Sequence, residues 1–214
     1  MTNEKALGLL SRVFIAGLLM HAGSTVAAAN IVLFDNYVQP GYVRSETFGW
    51  VIDGTFTVAM AFTPSVNARL ASLTLSLAIA GTNVVDVKLH DDAGGVPGAD
   101  IESFHLIDPI PPSSTDPPLV IDSVFHPHLL AGTQYWLSVH AASSIQGWWW
   151  SVDNQDSQGT LARFRTDDPP PRWRTFDTTL GVFRVEGLSP VPEPGTLALV
   201  GGGLLVLFRR RRQG

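Results

Sequence analysis

Apolar and polar residues alternate with a period of two through much of the chain. The pattern is clearest between Leu70 and Ile79, where from Leu73 onward an apolar residue at every second position alternates with a small or polar one. The same alternation runs through residues 85–89 and 135–139, and in the second of these Trp136 faces away from the apolar set. Successive side chains of a β-strand point to opposite faces, so this period predicts half-buried strands.

Weaker strand patterns occur elsewhere in the middle of the chain, with glycine- and aspartate-rich turns between them. The turns are predicted at residues 91–98, 131–133 and 153–159, and proline-rich loops at 108–118 and 167–171. About nine or ten short strands without a helical period predict an all-β fold, a two-sheet antiparallel β-sandwich that is jelly-roll-like. The weaker strands are predicted at Ile31–Tyr37, Thr55–Phe62, Ile101–Ile107, Leu119–Phe125, Gly147–Val152, Leu161–Arg165 and Gly181–Val185.

The start of the chain, residues 1–29, has the pattern of a secretory signal peptide. Lys5 and Arg12 make its first part positive, and an apolar run follows them. Ala27 and Ala29 form an A-x-A site, which predicts an N-terminal signal helix that is cleaved after Ala29.

The end of the chain combines a rigid motif, an apolar run and a basic cluster. The run from Thr196 to Phe208 is 13 residues long. As a helix it would cover about 20 Å, whereas the hydrocarbon core of a bilayer is about 30 Å thick. We therefore expect a short hydrophobic helix that holds the chain in the inner membrane only transiently, with the basic cluster on the cytoplasmic side. The motif is Pro192, Glu193 and Pro194, and the cluster is Arg209, Arg210, Arg211 and Arg212.

This arrangement resembles the PEP-CTERM sorting signal of exported bacterial proteins. The resemblance implies that an exosortase, a membrane protease, cleaves the chain near the Pro-Glu-Pro motif, after signal peptidase has acted at the other end. It predicts a signal peptide at 1–29, a β-sandwich domain at 30–190 and a sorting signal at 191–214, with delivery to the cell surface or extracellular matrix. An ordinary tail anchor is the alternative.

A second resemblance lies in the middle of the chain. The segments 92–98, 130–137 and 148–150 together look like a choice-of-anchor type domain. Such domains are β-rich and are attached to interchangeable C-terminal sorting signals. The resemblance implies a β-sandwich on an exported or surface protein, and it brings no catalytic residues.

Charge and cysteine content exclude several kinds of chemistry. The segment from Asn30 to Glu193 carries 18 acidic and eight basic side chains, so its net charge is near −10. A domain of this charge repels phosphate, so no nucleic-acid partner is expected. The chain has no cysteine, which rules out thiol chemistry and leaves the core alone to hold the fold.

Four aspartates around the predicted turn at 91–98 are the best candidate metal ligands. Calcium binds carboxylate and carbonyl oxygens, which a glycine-rich acidic turn can supply. The same residues are also what a tight turn requires. A structural calcium ion is therefore an alternative to a chain without cofactors. The four are Asp86, Asp91, Asp92 and Asp100.

Three consecutive tryptophans, Trp148, Trp149 and Trp150, are a candidate sugar-binding surface. On a strand, the first and third would share one face and the second the other, and an exposed indole can stack on a sugar ring. Trp136 and Trp173 could join them. The alternative is that the run packs into the core.

Other chemistry has little support. His126 and His128 have a spacing that could place two imidazoles together, but zinc needs further ligands. No Gly-x-Ser-x-Gly or His-Glu-x-x-His motif is present. We therefore expect a non-enzymatic protein. The resemblance to the sorting signal implies that it is exported to the surface or matrix, and we expect it to be associated with exopolysaccharide and biofilm there. A carbohydrate-binding module and, less favoured, a surface-acting hydrolase are the alternatives.

Overall fold

The computed structural model describes residues 30–37, 44–79, 84–109, 118–141, 147–152 and 157–189. Within these ranges every regular element is a β-strand, and no helix is long and apolar enough to cross a membrane. The two helices predicted at the chain ends lie outside the described residues. The strands are β1 (Asn30–Asp35), β2 (Arg44–Ile52), β3 (Phe56–Phe62), β4 (Ala68–Leu75), β5 (Leu77–Ile79), β6 (Val84–Asp92), β7 (Pro97–Ile107), β8 (Leu119–Asp122), β9 (His128–Leu129), β10 (Tyr135–Ala141), β11 (Gly147–Val152), β12 (Gln158–Arg165), β13 (Trp173–Thr179) and β14 (Phe183–Leu188).

Two antiparallel sheets make up most of the fold. The five-stranded sheet has the order β1-β14-β4-β8, with the short β9 also paired to β4. The six-stranded sheet has the order β13-β12-β3-β10-β6-β7, and a smaller third sheet has the order β2-β11-β5.

The chain passes back and forth between the two larger sheets. The last strand, β14, lies between β1 and β4, and β10 lies between β3 and β6. In each of these sheets a strand from late in the chain lies between two strands from earlier in the chain, and this is the strand order of a jelly roll. The predicted all-β, jelly-roll-like sandwich is thus confirmed, and the β12–β13 hairpin is an addition beside β3.

The core lies between the two larger sheets. Phe34 stacks on Phe183 with ring centroids 4.7 Å apart, and Phe62 meets Phe183 edge-on at 5.9 Å. Burying one large apolar side chain contributes about 1.5–3 kcal/mol, so such a core can hold the fold without disulfides. Its fully buried members include Val58, Met60, Leu70, Leu73, Leu75, Leu89, Leu137, Val139, Leu161 and Val185.

The strand predicted at Leu70–Ile79 is divided into two. The backbone N–H of Ser76 donates to the carbonyl of Val182 between β4 and β5, and β5 then joins the third sheet. Within β4, a register shift leaves Ala71 without a partner on β14. A bulge of this kind moves inward-facing positions by one residue, so the buried set changes from Ala68 and Leu70 to Leu73 and Leu75.

Three strands were not predicted: β2, β9 and β13. β13 has the sequence Trp-Arg-Thr-Phe-Asp-Thr-Thr and is largely exposed at the edge of its sheet. Both faces of an exposed edge strand can be polar, so it lacks the alternation that marks half-buried strands. The predicted proline loop at 167–171 is the connection between β12 and β13.

Candidate functional site

The acidic turn between β6 and β7 is held by hydrogen bonds to Asp92 from the turn itself, from β10 and from the residue before β10. Asp92 Oδ1 accepts hydrogen bonds from Trp136 Nε1 at 2.8 Å and from Gln134 Nε2 at 2.9 Å. The backbone N–H of Gly95 donates to the same carboxylate at 3.1 Å. The bond from Trp136 is the main reason that the pKa of Asp92 lies below its usual value. Gly94 and Gly95 have φ of 74° and 87°, a conformation that glycine adopts without strain.

The other three candidate calcium ligands have separate partners. Asp86 pairs with His105 at 2.7 Å and Asp100 with Lys88 at 2.7 Å, while Asp91 accepts the backbone N–H of Ala99. No group of three or more His, Cys, Asp or Glu side chains among the described residues is arranged to hold a metal ion. The calcium site stays a prediction, without a converging ligand set in this part of the chain.

Trp149 is a core residue. Its side chain is 0% exposed, its Nε1 donates to the carbonyl of Val182 at 3.0 Å, and its ring meets Phe183 edge-on at 5.7 Å. The ring packs directly on the backbone of Gly181, where an added Cβ would lie 2.6 Å from Trp149 Cδ1. The prediction that Trp149 belongs to an exposed sugar-binding surface is therefore wrong, because its indole faces the interior.

Two further tryptophans of the candidate surface, Trp136 and Trp173, are buried or half-buried. Trp136 is also 0% exposed, on the outer face of the six-stranded sheet beside Ala59 and Ala162, where the alanines leave room for its indole. Trp173 is half-buried against the same cluster. The side chains of Trp148 and Trp150 lie outside the described part of the structure.

The histidines of the 126–128 pair point to different partners. His126 Nδ1 donates to the carbonyl of Leu70 at 2.9 Å, which fixes its position against β4. His128 Nε2 accepts from Arg69 Nε at 3.1 Å. These two contacts attach β9 and the residues just before it to β4 of the five-stranded sheet.

A buried carboxylate that sequence reasoning did not assign to a site supports the turn after β8. Glu102 is 3% exposed. Its Oε2 accepts from Ser123 Oγ at 2.7 Å, and its Oε1 accepts from the backbone N–H groups of Val124 and Phe125 at 2.7 and 3.1 Å. These bonds give both buried carboxyl oxygens a hydrogen-bond partner and fix the turn.

The unpredicted feature with the clearest chemistry is a group of arginines on the added hairpin. Arg163 pairs in register with Val58 on β3 and with Arg174 on β13, and Arg165 pairs with Phe56. Val58 faces the core, and cross-strand partners share a face. These arginines therefore stand on the inner face of the six-stranded sheet, beyond the edge of its apolar core.

These side chains surround an open cavity of about 210 Å³. Arg165 makes a two-pronged ion pair with Asp167 at 2.6 and 2.8 Å, and Arg174 pairs with Asp168 at 2.8 Å. We call the lining residues the arginine pocket: Arg163, Arg165, Asp168, Arg174 and Phe176.

Arg163 has the least compensated charge in the arginine pocket. Its Cζ lies 3.7 Å from the ring centroid of Phe56, and the Cζ of Arg165 lies 5.0 Å from the same centroid. Burial, followed by the charge of Arg165, lowers the pKa of Arg163, while Asp53 opposes them. The buried Nε of Arg163 has no hydrogen-bond partner among the described residues. The sequence signal was Arg-x-Arg at inward positions of a strand.

A second, polar groove of about 360 Å³ lies between β1, β3 and β12. Its most buried polar side chain, Asn36, donates to the carbonyl of Gly181 and accepts from the N–H of Phe183. It also donates to Ser157 Oγ at 3.2 Å. Both the oxygen and the nitrogen of the Asn36 side-chain amide therefore have hydrogen-bond partners within the fold.

The described residues form a jelly roll with a cationic pocket on its added hairpin. Comparison with known families adds the sorting information: residues 190–212 match the PEP-CTERM protein-sorting motif. The chain therefore carries the sorting signal of an exported protein that an exosortase processes, which implies a cell-surface or extracellular location. No curated protein matches the chain. The predicted sorting and cleavage residues lie outside the described residues, and the choice-of-anchor resemblance stays a prediction.

Proposed function

We propose that the chain is a non-enzymatic protein of the cell surface or extracellular matrix that associates with exopolysaccharide in the biofilm layer. The observation that carries the proposal is the sorting motif at residues 190–212, attached to a jelly roll. In this proposal signal peptidase removes residues 1–29, the tail holds an inner-membrane intermediate, and an exosortase then releases the domain.

The buried titratable groups of the described domain support a structural role. Glu102 is bound by three hydrogen-bond donors of the turn after β8. His90 Nε2 lies 2.7 Å from Ser138 Oγ on the neighbouring strand. Neither group lines the arginine pocket or the polar groove. A surface-acting hydrolase is the less favoured alternative.

The sorting step is tested by mass spectrometry of the mature protein from a host that has an exosortase. We expect the protein to begin at Asn30 and to lack the residues after the Pro-Glu-Pro motif. Glu193→Ala should leave the tail attached and the protein in the membrane fraction, whereas Gln213→Ala, outside the matched motif, should behave as wild type. A wild-type matrix protein that retains residues 195–214 would contradict the sorting step.

The matrix association is tested in a host strain that cannot make exopolysaccharide. We expect the cleaved protein to move from the matrix fraction to the culture medium, because its anchor would be absent. An unchanged distribution would show that exopolysaccharide does not retain the protein, without affecting the sorting result.

A carbohydrate-binding module is the second candidate function. Trp149 no longer supports it, because this side chain is buried. The arginine pocket supports it instead, since Phe176 beside the guanidinium groups is 48% exposed.

A further inference from the structure

The arginine pocket lies where the inward-facing side chains of the six-stranded sheet change from apolar to charged. Along β12 the inward-facing positions are Leu161, Arg163 and Arg165, and Leu161 is 0% exposed. On β13 the partners on the same face are Phe176 and Arg174. Inward positions of a sheet are usually apolar. Two arginines at consecutive inward positions therefore indicate a surface that can bind a charged group.

The pocket is also the most basic part of an acidic domain. Three of the eight basic residues between Asn30 and Glu193 line it. Asp167 and Asp168 neutralise Arg165 and Arg174. Arg163 lacks an ion-pair partner among the described residues, and its guanidinium stacks on Phe56. An incoming anion would therefore meet one guanidinium that has no ion-pair partner among the described residues, flanked by two guanidinium groups that are held in place by their ion pairs.

The lining of the pocket suits a carboxylate that is carried on a sugar ring. A planar guanidinium binds a carboxylate through two parallel hydrogen bonds. Phe176 offers an exposed ring against which the apolar face of a pyranose can pack, and Asp168 can accept hydrogen bonds from hydroxyl groups. The cavity, about 210 Å³, is smaller than the roughly 300–1,000 Å³ typical of drug-sized ligands. It thus suits one sugar unit of a longer chain.

We propose that the arginine pocket binds a uronate unit of an acidic polysaccharide, with Arg163 and Arg174 on its carboxylate and Phe176 against its ring. The inference rests on the proposed association with exopolysaccharide and names the chemical class of that ligand. The net charge of the domain, near −10, opposes every polyanion at long range, so the inference rests on the local geometry of the pocket and not on net charge.

The inference is tested by calorimetric titration of the full-length chain with oligogalacturonate. The double variant Arg163→Gln/Arg174→Gln should bind at least about tenfold more weakly, because it loses two charge-assisted contacts. Arg69→Gln, an exposed arginine on the other larger sheet, should bind as wild type. Methyl-esterified oligogalacturonate keeps the ring and loses the charge, and it should bind weakly to every variant.

Two controls distinguish the arginine pocket from other sources of binding. The tail arginines are also basic, so a variant with glutamine at Arg209, Arg210, Arg211 and Arg212 should still bind if the pocket is the site. Polyglutamate supplies carboxylates without sugar rings and should bind more weakly than oligogalacturonate. Equal binding of polyglutamate, equal binding of the methyl ester, or unchanged affinity of a folded double variant would each overturn the inference.

Export gives an independent readout of the proposed function. The double variant should still be cleaved and leave the cell, because the sorting motif is intact. If wild type is exported and retained in the matrix but does not bind oligogalacturonate, the uronate inference fails while the proposed function stands.

Discussion

Trp149→Ala tests whether Trp149 belongs to the core or to a binding surface. The side chain is fully buried, donates one hydrogen bond to Val182 and contacts Phe183. Replacing a buried tryptophan with alanine costs about 3–5 kcal/mol, because both the transfer free energy and the packing are lost. In a domain of this size that lowers the melting temperature by about 6–20 °C.

Trp149→Phe separates packing from hydrogen bonding at the same position. Phenylalanine keeps an aromatic ring against Gly181, but it loses the N–H donor. The carbonyl of Val182 also accepts the backbone N–H of Ser76 at 3.1 Å, so it retains a partner. We therefore expect a loss of only about 1–2 kcal/mol.

The measurement is chemical and thermal unfolding of the full-length chain, followed by tryptophan fluorescence and circular dichroism. Phe176→Ala is the control: this side chain is 48% exposed, and its removal should change the free energy of unfolding by about 0.5 kcal/mol or less. If Trp149→Ala shifted the melting temperature by less than about 3 °C, the indole would not be in the core and the reasoning would be refuted.

Three more predictions concern the buried polar groups and the acidic turn. Burial lowers the pKa of His90 from 6.5, with Asp100 opposing it and Lys88 adding to it. Below about pH 6.5 the unfolded state therefore binds the proton more readily, and urea titrations should show lower stability at pH 5.5 than at pH 7.5. His90→Gln should reduce that difference, and an unchanged pH profile would contradict the assignment. Glu102→Ala should cost about 2–4 kcal/mol in the same titration, because Ser123 and two backbone N–H groups lose their acceptor; a loss below about 1 kcal/mol would show that the turn does not need it. EDTA should leave the melting temperature unchanged, because the turn carboxylates have protein partners, whereas a lower melting temperature would place a stabilising ion there.

Sequence reasoning succeeded where one face of a strand is buried and the other is not. Residues 85–89 alternate in burial as predicted, because β6 has its apolar face on the core. It was less successful where both faces share one character. The strand predicted at 135–139 is present as β10, but it is buried on both faces rather than one, since Trp136 occupies a second apolar cluster outside the sandwich. β13, which is largely exposed, was not predicted.

The direction in which a strand faces was the harder problem. For the Trp148–Trp150 run, the period of a strand predicts that the middle side chain points to the opposite face from its two neighbours. It does not predict which of the two faces is buried. The pairing of β11 with β2 and β5 decides this, and such pairing joins residues far apart in the chain. The bulge at Ala71 is equally invisible in the sequence, because it arises from the register between β4 and β14.

The arginine pocket was missed for the same reason, and its position explains what the added hairpin does. A jelly roll needs four strands in each sheet, and here β3, β10, β6 and β7 fill that role in the larger one. β12 and β13 extend that sheet sideways without adding strands to the five-stranded sheet. The inward positions of β13, and those of β12 beyond Leu161, therefore lie outside the apolar core, and Phe176 and Arg174 are exposed. Packing constrains residues there less than it constrains Leu161, so substitutions there should cost less stability than substitutions in the core.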